Sequence, residues 1–162
     1  MARFKPVNQK DYRKALVWIV GILKKHKIKY NILGGLAARA YGSKRRLVDI
    51  DLSMKNSDFK KLLPDIKDHI VEAPHYSISK NWKCYFMEFK YKGITIEVGG
   101  DKGCKMFNSK TKKWENMKDG LTKPTIKKVL GLNLPIIPKK NLISYKTKLK
   151  RKVDLIDLKY IK

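Results

Sequence analysis

Two carboxylates set two residues apart in an otherwise apolar run can do metal chemistry. The run is Val48-Asp49-Ile50-Asp51-Leu52. In an extended strand, residues two apart project to the same face. Asp49 and Asp51 then stand side by side, while Val48, Ile50 and Leu52 point the other way into a core. Neighbouring carboxylates repel, and each is costly to strip of water. A divalent cation relieves that repulsion, and hard oxygen ligands suit Mg²⁺ or Mn²⁺.

The residues before this run must position it. A short strand, Ile28-Lys29-Tyr30-Asn31-Ile32, leads into Gly34-Gly35. Glycines let backbone approach a phosphate closely, and the helix predicted over 36–41 would offer free N–H groups to an anion. A Gly-Gly turn with no ligand is the plainer alternative. Gly42 closes the helix. The polar turn Ser43-Lys44-Arg45-Arg46 follows, directly before the carboxylate strand.

This stretch resembles the nucleotidyltransferase superfamily of the polymerase-beta type. The pattern is an apolar residue, Gly-Gly or Gly-Ser, about a dozen residues, then Asp-apolar-Asp-apolar. Here Leu33-Gly34-Gly35 is followed by thirteen residues and then Asp49-Ile50-Asp51-Leu52. Arg45 takes the place of the usual Arg in Arg-x-Thr-x-Asp-x-Asp, and Leu47 replaces the Thr. A closing stretch also matches: Lys146, Arg151 and Asp154-x-x-Asp157, with Val153 where Lys is usual. The resemblance covers roughly residues 30–161.

It implies an α/β (α+β) fold, a small mixed sheet flanked by helices. It implies transfer of a nucleoside monophosphate from an NTP to an acceptor, with release of pyrophosphate. Asp49 and Asp51 would hold Mg²⁺ ions. Glu97 is the first candidate for a third metal-binding, catalytic carboxylate, and Glu88 the second; Glu97 as an ordinary solvent-facing residue is the alternative. Gly34, Gly35, Lys44, Arg45 and Lys146 are candidates for holding the triphosphate. Asp154 and Asp157 are expected to pair with bases across helices. Members of the superfamily modify RNA, proteins or aminoglycoside- and lincosamide-like molecules, and some compact ones serve in toxin–antitoxin or phage-defence systems.

The rest of the chain reads as supporting elements. Residues 8–25 form a helix capped by Asn8, with Leu16, Ile19, Val20 and Leu23 on one face. His26 complements the dipole at its end. A second helix spans 57–69, kinked or divided at Pro64. Residues 72–79 read as loop with a short strand. A hairpin follows, 82–91 and 94–98 around Lys92-Gly93, with Glu88 and Glu97 on its arms. Residues 99–103 form a flexible loop. It contains GGxxG but no following Lys-Thr, so it is a weak phosphate loop. Residues 106–114 suggest another hairpin, and Lys110, Lys112, Lys113 and Trp114 mix bases with an aromatic as nucleic-acid-binding surfaces do; a solvated tip is the simpler reading. A turn at Gly131 separates two short strands, and helices close the chain from 139 onward.

The length, 162 residues, suits one domain, with its core over about 28–100 and closing helices over about 139–162. Lys and Arg number 39 against 14 Asp and Glu, a net charge of +25. That field favours polyanions and makes RNA, such as tRNA, the first choice of acceptor. A lysine-rich proteome would give the same composition. A basic binding module that kept the fold without catalysis is the alternative, as is an antitoxin-like interaction protein. Cys84 and Cys104 make neither a disulfide framework nor a metal set and are expected as free thiols in a cytoplasmic protein. No signal peptide is evident, and the longest apolar stretch, 15–23, is too short to span a bilayer.

Overall fold

A computed structural model describes residues 9–161. Asn8, read as a helix cap, and residues 1–7, read for a signal peptide, lie outside them.

Helix α1 (Gln9–Lys25) buries Leu16, Ile19 and Leu23, the 3.6-period stripe seen in the sequence. Strand β1 (Tyr30–Leu33) runs into helix α2 (Gly34–Ala40), which begins at Gly34 itself rather than after the glycines. Strand β2 (Ile50–Met54) follows. A 3-10 turn, helix α3 (Phe59–Ile66) and a second 3-10 turn come next. Pro64 sits inside α3, and Phe59, Leu62 and Ile66 are its buried face. Strands β3 (Ile70–Ile78), β4 (Trp82–Tyr91) and β5 (Ile94–Gly99) form a meander. The hairpin β6 (Lys105–Asn108) and β7 (Lys113–Asn116) and the hairpin β8 (Thr125–Val129) and β9 (Leu132–Ile136) complete the sheet. Helices α4 (Lys139–Leu149) and α5 (Lys152–Ile161) close the chain.

The strand order is β7-β6-β4-β5-β2-β1-β9-β8, with β3 on the other edge of β4. The β1–β9 and β2–β5 pairs are parallel and the other pairs antiparallel, so the sheet is mixed. Ile50, Leu52, Met87, Phe89, Ile96 and Val98 bury one sheet face among the apolar stripes of α1 and α3. Trp18 of α1 reaches the same face, stacked on Tyr91 at 4.2 Å and edge-on to Phe89.

Several local expectations are corrected. Residues 70–78 form a nine-residue strand, β3, rather than loop with a short strand. Val48 does not enter the core; it is 68% exposed, because regular pairing starts only at Ile50. His26 has a distant acidic partner, Asp65, at 2.6 Å, with Lys25 bonded to the same carboxylate. The loop over 99–103 is tethered: the Asn56 N–H donates to Asp101, and Asn56 also bonds the backbone of Lys102. Cys84 and Cys104 are not free thiols but a disulfide, their Cα atoms 4.2 Å apart. Strand β6 runs beside the start of β4, which sets the two residues together across twenty positions of sequence.

The closing helices are locked by buried charge. Lys146 of α4, 1% exposed, donates to Asp154 and lies 3.0 Å from Asp157, both fully buried on α5. Arg151 donates to Asp154 through Nε and Nη2, and its N–H caps the same carboxylate. Removing one partner of such a cluster strands the others without water. Lys146→Met should therefore lower unfolding free energy by about 3–5 kcal/mol, read by urea denaturation. A loss within the error of the fit would mean that the lysine carries no such burden.

Candidate active site

Parallel pairing of β2 with β5 puts Asp51 opposite Glu97. Antiparallel pairing of β4 with β5 puts Glu88 on the other side of Glu97. Asp49 lies just before β2, two residues from Asp51 and on the same face. Carboxylate oxygens of Asp49, Asp51 and Glu97 all lie within 4.8 Å of one another. Glu88 does not join this group, although its charge is felt at Glu97.

This crowding shows in the protonation of the three. Asp49 is raised to about 7, first by burial and then by the charge of Asp51. Asp51 is also raised to about 7, by burial and then by Glu97. Burial, then the charge of Asp49, raises Glu97. A convergent set of hard oxygen donors, unable to hold all its charge unaided, fits a divalent cation.

Gly34 makes the arrangement possible. Its φ is +62°, and a Cβ there would overlap the Asp51 carboxylate. The sequence reading gave this glycine to a phosphate; the structure uses its bareness to admit Asp51. Its N–H is also engaged, donating to the buried Tyr145 hydroxyl at 2.7 Å. At Gly35 the added atom would meet the Arg45 guanidinium at 2.5 Å. Arg45 is in turn held by Asp157, donating through Nε and Nη2 at 2.9 Å each, while Ser43 donates to the same carboxylate at 2.7 Å. Burial would weaken the proton affinity of Arg45, but its bonds to Asp157 outweigh that and raise it. Burial alone would raise Asp157; Arg45, Ser43 and Lys146 hold it below the usual carboxylate range.

These groups line a cleft of about 550 Å³ together with Trp82, Phe86 and Met117. Two of the residues expected at a triphosphate are placed differently. Lys44 is exposed and outside the cleft lining. Lys146 reaches the cleft but is committed to Asp154 and Asp157. Arg151 faces the carboxylates instead: its charge opposes the rise of Asp49, Asp51 and Glu97. The closing motif named Arg151, but only the turn between α4 and α5, with Lys150 in the left-handed region, reveals its direction. Tyr145 was missed entirely; nothing in its neighbourhood of sequence distinguishes it from a core aromatic.

No protein-family model matches the sequence, and no curated protein sequence matches it. Solved structures do match the fold. A Thermotoga maritima protein, TM1012, assigned to the nucleotidyltransferases, superposes with a TM-score of 0.73 over 94% of this chain and 93% of that one, at 19% identity. The chain has the nucleotidyltransferase fold. The lincosamide antibiotic adenylyltransferase LnuA, solved with lincomycin bound, gives 0.63 over 96% of each chain, at 18% identity. The antibiotic-resistance factor ANT(2'')-Ia gives 0.58 over 92% of this chain and 84% of that one, at 11% identity. Another structure of ANT(2'')-Ia holds adenylyl-2''-tobramycin. Against this nucleotidyltransferase frame the sheet and its five helices are ordinary, and the acidic cluster is the feature that calls for chemistry.

Two predictions follow from the cluster. Between about pH 4 and about pH 7 the unfolded chain releases protons that folded Asp49 and Asp51 retain, because their ordinary value is 3.8 and their folded value about 7. Stability without metal should fall as pH rises through that window and level off above it. Asp49→Asn with Asp51→Asn should remove most of this slope, and saturating Mg²⁺ should raise Tm more at pH 8 than at pH 5. Calorimetry at several pH values, with EDTA and with Mg²⁺, decides it; parallel curves for wild type and double mutant would refute it. Gly34→Ala should cost more than about 1 kcal/mol, since alanine is strained at positive φ, and should abolish the Mg²⁺-dependent rise in Tm by displacing Asp51. An alanine variant with an unchanged Mg²⁺ response would refute that.

Proposed function

We propose that the chain is a metal-dependent nucleotidyltransferase that moves a nucleoside monophosphate from an NTP to an acceptor. The observation that carries this reading is the convergence of Asp49, Asp51 and Glu97 beside a cleft in a chain of this fold. Acidic residues number 14 against 39 bases. A non-catalytic basic module, or an antitoxin-like interaction protein, gives no reason to crowd three of those few carboxylates together where each resists ionisation.

The residues divide the work as follows. Asp49, Asp51 and Glu97 would hold Mg²⁺ or Mn²⁺. Bound there, the metal supplies Lewis-acid stabilisation of charge on the reacting phosphate. An acceptor oxygen attacks the α-phosphorus, the bond from that phosphorus to the bridging oxygen breaks, and pyrophosphate leaves. Glu97 also accepts the acceptor's proton. Arg45 and Arg151 present fixed positive charge to the triphosphate and the leaving pyrophosphate, as transition-state stabilisation requires. Asp157 and Asp154 orient those two guanidinium groups. Gly34 and Gly35 leave room where the carboxylate and Arg45 crowd the backbone.

RNA, such as tRNA, remains our first acceptor, on the strength of the +25 charge. A small-molecule acceptor is the second reading, favoured by the likeness to LnuA and ANT(2'')-Ia along nearly the whole chain. The test is incubation with each α-labelled NTP, Mg²⁺ and a cell extract, followed by separation into RNA, protein and small molecules. One labelled fraction is expected. Glu97→Gln should lower transfer by roughly 10²–10⁴-fold while keeping NTP binding, and Glu88→Gln should remain close to wild type. Absence of labelling with every NTP and fraction would sink the enzymatic reading. Equal losses in the two glutamine variants would remove the special role of Glu97.

A further inference from the structure

The acidic cluster occupies one face of the sheet, and the opposite face of its outer strands carries a different pattern. Pairing places Ile78, Lys83, Lys105 and Asn116 in one row across β3, β4, β6 and β7. Two residues further along, the same face carries Tyr76 on one side of the row and the pair Phe107 and Trp114 on the other. The Lys83 ammonium lies over the Trp114 ring at 4.3 Å, and Phe107 meets that ring edge-on. Ile78 is 70% exposed and Tyr76 50%. Lys105 is exposed too, and Trp114 is only part-buried. The cover from α3 reaches Phe59 on Tyr85, further in along β4. None of the named positions is acidic. The turn after β6 adds Lys110 and Lys112, both exposed.

Lysines on outer strands discourage unwanted strand pairing. That accounts for the lysines but not for a part-buried tryptophan, an exposed isoleucine and an exposed tyrosine, whose hydroxyl donates to the Gly103 carbonyl at 3.3 Å, sharing their face. The face offers two things together: cations spaced along a sheet and flat aromatic surfaces between them. An acidic protein would use the cations and leave the rings idle. A single-stranded nucleic acid uses both, since its phosphates meet the ammonium groups and its bases stack on the rings. A duplex keeps its bases stacked on each other and cannot.

We propose that this outer sheet face binds single-stranded nucleic acid, with Trp114 and Tyr76 stacking bases and Lys83 and Lys105 meeting phosphates. Lys83 would leave the Trp114 ring for a phosphate as a base takes its place. The surface lies on the other side of the sheet from the carboxylate cluster, so it does not depend on the transfer reaction.

The experiment is fluorescence anisotropy on the full chain with labelled twelve-nucleotide oligo-U and oligo-dT, in EDTA and without NTP. Failure or success there is separate from the labelling assay. Both single strands are run to assign RNA, DNA or either, and binding of any of these supports the proposal. Lys83→Ala with Lys105→Ala should reduce the slope of log affinity against log salt by about 1.4, at 0.7 per single-strand phosphate. Trp114→Ala should weaken binding roughly five- to 150-fold, the range for loss of one stacked base. Should that variant fail to fold, Tyr76→Ser at an exposed position reads the same loss. Lys24→Ala with Lys60→Ala removes equal charge from exposed helical positions and should leave affinity and slope near wild type. Equal weakening by the two lysine pairs would show diffuse charge and overturn the proposal. So would duplex DNA binding as tightly as single strands, or polyglutamate competing as well as an oligonucleotide.

Discussion

Three like charges held on two neighbouring strands are the constraint on which the rest of this structure depends. Strand pairing fixes Asp51 beside Glu97, and strand alternation fixes Asp49 beside Asp51. Asp51 and Glu97 cannot move apart without breaking the register, because the alternate residues Ile50, Leu52, Ile96 and Val98 are locked in the core. The repulsion is therefore built into the fold and is relieved by protons, by cations from the chain, or by a metal. The raised proton affinities of Asp49 and Asp51 express the first option. Arg45 and Arg151 express the second. Among the described residues neither donates a hydrogen bond into the cluster; both are tied to aspartates on α5, which holds the cations near the cluster but not in it.

That arrangement explains why α4 and α5 carry so much buried charge. A guanidinium free to collapse onto Asp49 or Asp51 would neutralise the cluster and compete with any cation. Asp154 and Asp157 prevent this by taking the guanidinium groups themselves, and Lys146 balances the two aspartates from beneath. Buried ion pairs rarely add stability over an apolar core of the same shape. Their use here is positional: the network sets the direction of two cations and ties the closing helices to the loop before β2. Tyr145 adds a neutral tie, holding the Gly34 backbone where the missing Cβ admits Asp51.

The two anchors of this site were legible because each is local. Alternation exposed Asp49 and Asp51, the Gly-Gly step marked their neighbour, and the hairpin around Lys92-Gly93 placed Glu97 on a returning arm. Partnerships across the chain were legible only where the resemblance carried them, as for Asp154 and Asp157 with bases on other elements. Lys146 reads as a triphosphate-holding cation on a closing helix, and only its packing against α5 shows it buried on Asp154 and Asp157. His26 meets Asp65 across 39 positions, and Cys84 meets Cys104 across twenty. Strand β3 was obscured for another reason. It is an edge strand interrupted by Pro74, exposed along most of its length, so it shows little of the period-two pattern that marks a half-buried strand. Val48 shows the converse error: an apolar residue in perfect alternation lies outside the paired segment and faces solvent.

The charge of the chain takes on meaning only when distributed over this fold. The composition alone cannot separate a polyanion-binding surface from lysines that merely solvate. Around the cleft Arg45, Lys146 and Arg151 are each spoken for by an aspartate, and Lys118 is exposed. On the reverse of the outer strands the cations are lysines, and their neighbours are rings rather than carboxylates. Arginine fixed in a fork suits a phosphate whose position must be exact to react, whereas a mobile ammonium suits a backbone that is only held. The two faces of one sheet thus carry positive charge in two different settings, and β4 joins them, carrying Cys84 and Phe86 toward the cleft and Lys83 toward Trp114.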